Sequence, residues 1–284
     1  MSVDLAGAAD LHCHFGPDPH RERSVDAFDA ARDARRAGHG AIVLKSHDTP
    51  TASLAWAVQQ HVEDVAVFGG ICCDREVGGV NPTAVETALR LGARIVWLPT
   101  LSSHQDQLNG VGAQLGIPGP GLRVTDDDGE LLPETHAVID LVREHDAVLA
   151  TGHVTAEEHY AVVRACATSV DVLVTHATEE LAGPGLDTAQ CAELAELGAW
   201  IELCAMTCIG ALATRSVADM IATIAAVGTE HVTLATDFGQ QINPRPARGL
   251  QTYADALHDA GMAEPEIRRM ACTNPTALLR LDGT

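Results

Sequence analysis

The chain has 284 residues with 18 Lys and Arg against 39 Asp and Glu, a formal charge of −21 that disfavours nucleic acid and anionic membrane surfaces as partners. Hydrophobic residues make up 46% and aromatics only 3%, so the core must be built from Ala, Val, Leu and Ile, a composition suited to parallel strands covered by helices. The opening MSVDLAGAAD lacks a basic segment followed by an apolar one, and no apolar run reaches the roughly 18 residues of a membrane span, so a soluble, cytoplasmic protein is expected. In that compartment the eight cysteines read as reduced thiols, including the pair Cys204 and Cys208.

The apolar pattern alternates between two periods along the chain. "AADLHCH" opens a series of short strand-like runs that continues with "AIVLKSH" (41–47), "VAVFGGICC" (65–73), "ARIVWLPT" (93–100), "AVLATGH" (147–153), "DVLVTH" (171–176), "AWIELCAM" (199–206) and "HVTLATD" (231–237). Helix-like segments lie between them. "SVDAFDAARDARRAG" reads as a helix capped by Ser24 and closed by Gly38, and "NPTAVETALRLG" has Asn81 as cap with Pro82 at the first helical position. "TAEEHYAVVRACA" carries Thr155 and Glu158 at capping-box spacing, and further helices fit 133–146, 188–198, 216–228 and 249–262. Eight strands alternating with helices predict an α/β fold, a (β/α)8 TIM barrel formed as one domain over 1–284, with a doubly wound open sheet as the rival. Residues 101–132 form a connection far longer than usual, with a small hairpin turning at Asp128-Gly129. In a barrel this segment is expected to act as a lid over the active-site rim.

Polar residues close five of the eight runs: His12 and His14, Lys45 and His47, His153, His176, and Asp237. Residues two apart on a strand share a face, so His12 projects with His14 and Lys45 with His47. Sheet closure brings these ends into one pocket. Imidazoles and a carboxylate are the donors a divalent zinc, manganese or iron ion requires, whereas burying so many ionisable groups separately would be costly. The parity of "AWIELCAM" also allows Glu202 to reach the barrel interior. His20, Arg21 and Arg23 follow strand one and Gln240 follows strand eight, where arginines could clamp a substrate carboxylate. Neither a GxGxxG nor a P-loop spacing is present, nor a G-x-S-x-G elbow.

His-x-His on strand one, single histidines on strands five and six and Asp on strand eight resemble the amidohydrolase superfamily, whose members include dihydroorotase, phosphotriesterase and adenosine deaminase. The ending "TNPTALLRL" (273–281) is also similar to a helix common there. The resemblance implies one or two divalent ions, zinc first among them. It places His12 and His14 deepest and His153 and His176 on the more exposed metal, with Asp237 both ligand and proton acceptor. Two-metal members often carry a carboxylated lysine or a glutamate on strand four, but strand four here closes with "VWLPT". Lys45 on strand two is the expected replacement, either as a carboxylated bridging ligand or as a cation that binds substrate, with His47 and Gln240 as substrate contacts. The expected function is a metal-dependent hydrolase acting on a small amide, imide, lactone or ester, with homo-oligomerisation left open. A decarboxylase of the same superfamily is the first alternative and a phosphoesterase the next, while a non-catalytic metal-binding scaffold belongs to another class.

Overall fold

A computed structural model describes residues 2–166 and 169–281. Its eight strands are β1 (Ala9–His14), β2 (Ala41–Lys45), β3 (Ala66–Cys72), β4 (Ala93–Trp97), β5 (Val148–Ala150), β6 (Asp171–Val174), β7 (Trp200–Cys204) and β8 (Val232–Ala235). They pair in parallel in sequence order, each neighbour being the next strand of the chain. Closure is made at the last seam. The Asp237 amide donates to the His12 carbonyl (2.9 Å), the His14 amide donates to the Phe238 carbonyl (2.9 Å), and Cys13 bridges Phe238. Below this seam Asp10 is buried and accepts from the Thr236 amide (3.0 Å), the Thr236 hydroxyl (2.5 Å) and the His12 amide (3.1 Å), which ties β1 to the end of β8. The architecture is therefore the closed (β/α)8 barrel expected from the alternating periods.

The helices form where capping and amphipathic spacing agree. Asn81 accepts from the Thr83 and Ala84 amides ahead of helix Pro82–Arg90. Thr155 and Glu158 bond each other's amides at the start of helix Ala156–Cys166, the reciprocal pattern their spacing predicts; the last residue of that sequence segment, Ala167, lies outside the described residues. One boundary differs. Helix Ala27–Arg36 is capped by Asp26 rather than Ser24, because Asp26 is extended and accepts the Asp29 amide while Ser24 bonds the Gly239 carbonyl across the closing seam.

Alanine, valine and leucine fill the two sides of the sheet differently. Ala9, Leu11, Val43, Ile95, Val148 and Leu173 pack inside the barrel, and Trp97 closes that layer from β4. A larger cluster lies outside, between sheet and helices. The β1 register opens by one residue between Asp10 and Cys13 opposite Ile42 and Leu44, a bulge that re-aims the following side chains. The long segment after β4 carries two short helices, His104–Leu108 and Val111–Gln114, and a tight turn in which the Gly129 amide donates to Asp126 and Thr125 pairs with Leu131. Among the described residues no helix is long and apolar enough to cross a membrane.

The interior leaves no room for one extra carbon on β3. A Cβ on Gly70 would collide with the Ile95 carbonyl oxygen and the Trp97 ring. Gly70→Ala should lower the unfolding free energy by about 1–3 kcal/mol, seen as a lower denaturant midpoint at unchanged slope.

Candidate metal centre

The carboxyl-terminal ends of the strands converge on a cavity of about 300 Å³ lined by His14, Lys45, His47, His153, His176 and Asp237 among others. His12 and His14 descend into its floor from β1. Their Nε2 atoms stand 3.2 and 3.1 Å from Oδ1 of Asp237, and all three side chains are almost completely shielded from solvent. The ligand atoms of this trio lie within 4.8 Å of one another. His176 adds its ring 5.8 Å from that of His12, and His153 lies 4.6 Å from His176 between ring centroids.

These imidazoles are neutral bases in this setting. Burial pushes His12 down to about 3, reinforced by the Lys45 ammonium, and pushes His14, His153 and His176 well below the usual imidazole range. Burial alone would raise the Asp237 carboxyl, but His12, His176, Lys45 and His153 outweigh it and hold the group ionised, below its ordinary value. The Nε2 atoms of His12 and His153 are buried without a hydrogen-bond partner among the described residues. Electron-pair donors aimed at one another with no proton between them repel, and a divalent cation is what relieves that repulsion. The donor set therefore fits a zinc-, manganese- or iron-type ion.

The opposite ring nitrogens are held from behind. His12 Nδ1 lies 3.0 Å from Glu202 Oε2, which also accepts the His176 amide at 3.0 Å. His153 Nδ1 lies 2.7 Å from Asp106 Oδ2, and the other Asp106 oxygen accepts the Gly183 amide at 2.9 Å. Each carboxylate accepts a hydrogen bond from Nδ1–H, which leaves the Nε2 lone pair turned toward the centre. Burial raises the Glu202 carboxyl and pushes Asp106 up to about 7. Cys204 stands 3.9 Å from the same His12 Nδ1, behind the ring rather than in the cavity. It is a free thiol, as are the other seven cysteines.

The backbone is distorted at two of these positions. His176 (φ 27°) and Asp237 (φ 54°) both occupy the left-handed region. For residues with a Cβ this conformation costs roughly 1–3 kcal/mol each, a price met only where the surroundings impose it. Gln240 donates to the Asp237 carbonyl at 2.8 Å and accepts from Asn243 at 3.1 Å, so its amide braces the turn that carries Asp237 while its side chain borders the cavity.

Lys45 ends β2 facing the barrel interior and is 1% exposed. Its Nζ sits 5.6 Å from the centroid of the Trp97 ring and has no hydrogen-bond partner among the described residues. His47 stacks on His14 at 4.9 Å, and its Nδ1 lies 2.7 Å from the Thr100 hydroxyl. That hydroxyl donates to Asp74, which also accepts the Thr100 and Ser102 amides (2.9 and 2.8 Å), so the His47 ring is braced by a buried chain. Burial pushes Asp74 up to about 6.

The structure brings together the imidazoles and Asp237 that the strand ends suggested. Reading the strand ends missed Asp106, Asp74 and Thr100, which bond to the histidines from outside the cavity. Strand parity alone signals Glu202, while Asp106 sits inside the long connection, where Ser103 caps its short helix by accepting the Asp106 amide (3.0 Å). Replacing Asp106 by Asn should weaken metal binding about 10- to 100-fold. Titration with a competing chelator checks this, and unchanged affinity would show that the His153 tautomer is set elsewhere.

Comparison with known proteins places the chain in context. Its barrel is similar to that of an amidohydrolase from Pseudomonas aeruginosa (13% identity, 98% of this chain and 96% of that chain, TM-score 0.64). It is also similar to a 2,6-dihydroxybenzoate decarboxylase from Rhizobium (12% identity, 98% and 100%, TM-score 0.66) and to a probable dipeptidase from Pseudomonas aeruginosa (10% identity, 95% and 94%, TM-score 0.65). At these identities the likeness shows the fold. No curated protein matches the sequence. The model of a family of unknown function, DUF6282, matches residues 7–202, a span that carries the strands from β1 into β7 together with His12, His14, Lys45, His153 and His176. The chain therefore belongs to that family, and the histidines that converge at the mouth of its barrel lie within the family's own span.

Proposed function

We propose that this protein is a metal-dependent hydrolase of the amidohydrolase superfamily, cleaving a small amide, imide, lactone or ester. The observation that carries this reading is the approach of His12 Nε2 and His14 Nε2 to Asp237 Oδ1, at 3.2 and 3.1 Å, at the bottom of a cavity, with His153 and His176 beside them. Proteins of similar structure include a dipeptidase and a β-aspartyl dipeptidase. A divalent ion held by these residues, zinc before manganese or iron, would make water nucleophilic at neutral pH and polarise the carbonyl under attack.

The chain's own residues then divide the work. His12, His14, His153 and His176 supply neutral nitrogen donors. Asp237 turns Oδ1 toward the imidazoles, which leaves Oδ2 to take the proton of the attacking water and pass it to the leaving group. Lys45 would serve as the bridging ligand of a two-ion centre if its amine were carboxylated, and as the free ammonium it would instead be a cation that binds substrate. Its buried position and unpartnered Nζ support either role, and carboxylation would exchange the buried cation for a carbamate anion that bound divalent ions would neutralise. His47 borders the cavity as a substrate contact. The segment 101–132 lends Leu101, Asn109, Val111 and Leu115 to the cavity wall, which supports its role as a lid.

One observation favours a second reading, metal-dependent decarboxylation around a single ion. β4 offers the buried Trp97 at its end and no lysine or glutamate there. Metal content per chain separates the two. Two equivalents falling toward one in Lys45→Ala support the bridged hydrolase, and one equivalent unchanged in that variant supports the single-ion decarboxylase. In a screen of cyclic amides, lactones and esters, with carbon dioxide release followed in parallel, Asp237→Asn should lower turnover by about 10²- to 10⁴-fold. Full turnover in that variant would remove Asp237 from the chemistry.

A further inference from the structure

The loop that follows β1 brings cations to the cavity of a chain whose net charge is −21. Arg21 and Arg23 both line it. The Arg23 side chain is 4% exposed. Its Nε and Nη2 both donate to Asp18 Oδ2 (3.0 and 2.6 Å), and Nη1 is buried without a partner among the described residues. Asp18 cannot satisfy that third donor group, because its Oδ1 already accepts the His20 and Arg21 amides at 2.8 and 2.9 Å. A buried guanidinium N–H with no acceptor is costly to keep unless a ligand completes it.

The other charged side chains that line the cavity offset one another, Lys45 being opposite in sign to Asp237. Glu180 faces Arg215 at 2.9 Å, while Asp18 neutralises Arg23. Arg21 is exposed and has no ion pair among those found in the described residues, so it contributes one uncompensated positive charge. That surplus suits a monoanion better than a dianion. Arginine's planar fork matches a carboxylate. Leu101, Val111, Leu115 and Leu181 line the same cavity, apolar side chains of the kind that hold the body of a small ligand.

We propose that the cavity takes a small monocarboxylate with an apolar body, its carboxylate gripped by Arg23 Nη1 and Arg21 and its apolar part packed against the leucine and valine wall. This rests on the reading of the cavity as a substrate site and names the class of substrate. It also assigns the carboxylate to the arginines rather than to the metal centre, so the bond to be cleaved lies elsewhere on the same molecule.

The test is calorimetric titration of the whole protein as purified, its metal content measured alongside, with acetate, butyrate, hexanoate, hexan-1-ol and inorganic phosphate as probes. Hexanoate should bind more tightly than acetate, by up to about fourfold for each added methylene that becomes buried. Arg23→Gln and Arg21→Gln should each weaken hexanoate at least about tenfold, the loss of one charge-assisted hydrogen bond, and leave metal content unchanged. Arg21 is exposed, so its variant keeps the test open if Arg23→Gln fails to fold. Hexanoate binding unchanged in Arg21→Gln, hexanol binding as tightly as hexanoate, or phosphate displacing hexanoate would each overturn the proposal. Arginine-dependent hexanoate binding in a protein that holds no metal would sustain it while removing the metal hydrolase reading, so the two fail separately.

Discussion

Everything at the mouth of this barrel depends on the seam where the last strand meets the first. Without the bonds from the Asp237 amide to the His12 carbonyl and from the His14 amide to the Phe238 carbonyl, the residues that end β1 and follow β8 would be strangers at opposite edges of an open sheet. Asp10 secures the seam from below by accepting from both the amide and the hydroxyl of Thr236. Closure is therefore a local hydrogen-bonding event with a chemical consequence. It sets a carboxylate against two neutral imidazoles at a spacing that a cation resolves.

The histidines are held by a second set of groups that never enters the cavity. Glu202 and Asp106 take the Nδ1 side of His12 and His153, and the Thr100–Asp74 pair braces His47. Each of these acids is itself anchored, Glu202 by the His176 amide, Asp106 by the Gly183 amide, and Asp74 by the Thr100 and Ser102 amides. Backbone donors fix the carboxylates, the carboxylates fix the tautomers, and the tautomers aim the lone pairs. This layering lets loop residues hold a geometry as definite as that of the strands.

The long connection after β4 shows how one insertion serves two ends. Asp106 reaches under it to orient His153, Asn109 bonds the Gly183 carbonyl at 2.7 Å, and the same segment turns Val111 and Leu115 toward the cavity. The β1 loop adds Arg21 and Arg23 to the same cavity. The cavity thus gathers basic and apolar side chains above the His12, His14 and Asp237 cluster, in a molecule whose net charge is strongly negative.

The sequence by itself determined the barrel and the ring of polar residues at its strand ends, because both depend on short-range periodicity. Apolar runs of strand length alternate with capped helical segments, and the polar residues that close those runs, from His12 to Asp237, are visible as interruptions of the pattern. Only the tertiary structure decided what stands behind them. Asp106 meets His153 across 47 residues, Glu202 meets His12 across 190, and Thr100 meets His47 across 53, and no local spacing encodes such pairs. The replacement of Ser24 by Asp26 as helix cap has the same origin, since the seam to Gly239 claims the Ser24 hydroxyl. Local propensity chooses elements. Which side chains meet at their ends is settled by the closure of the sheet, because the energy of those contacts exists only once distant strands are side by side.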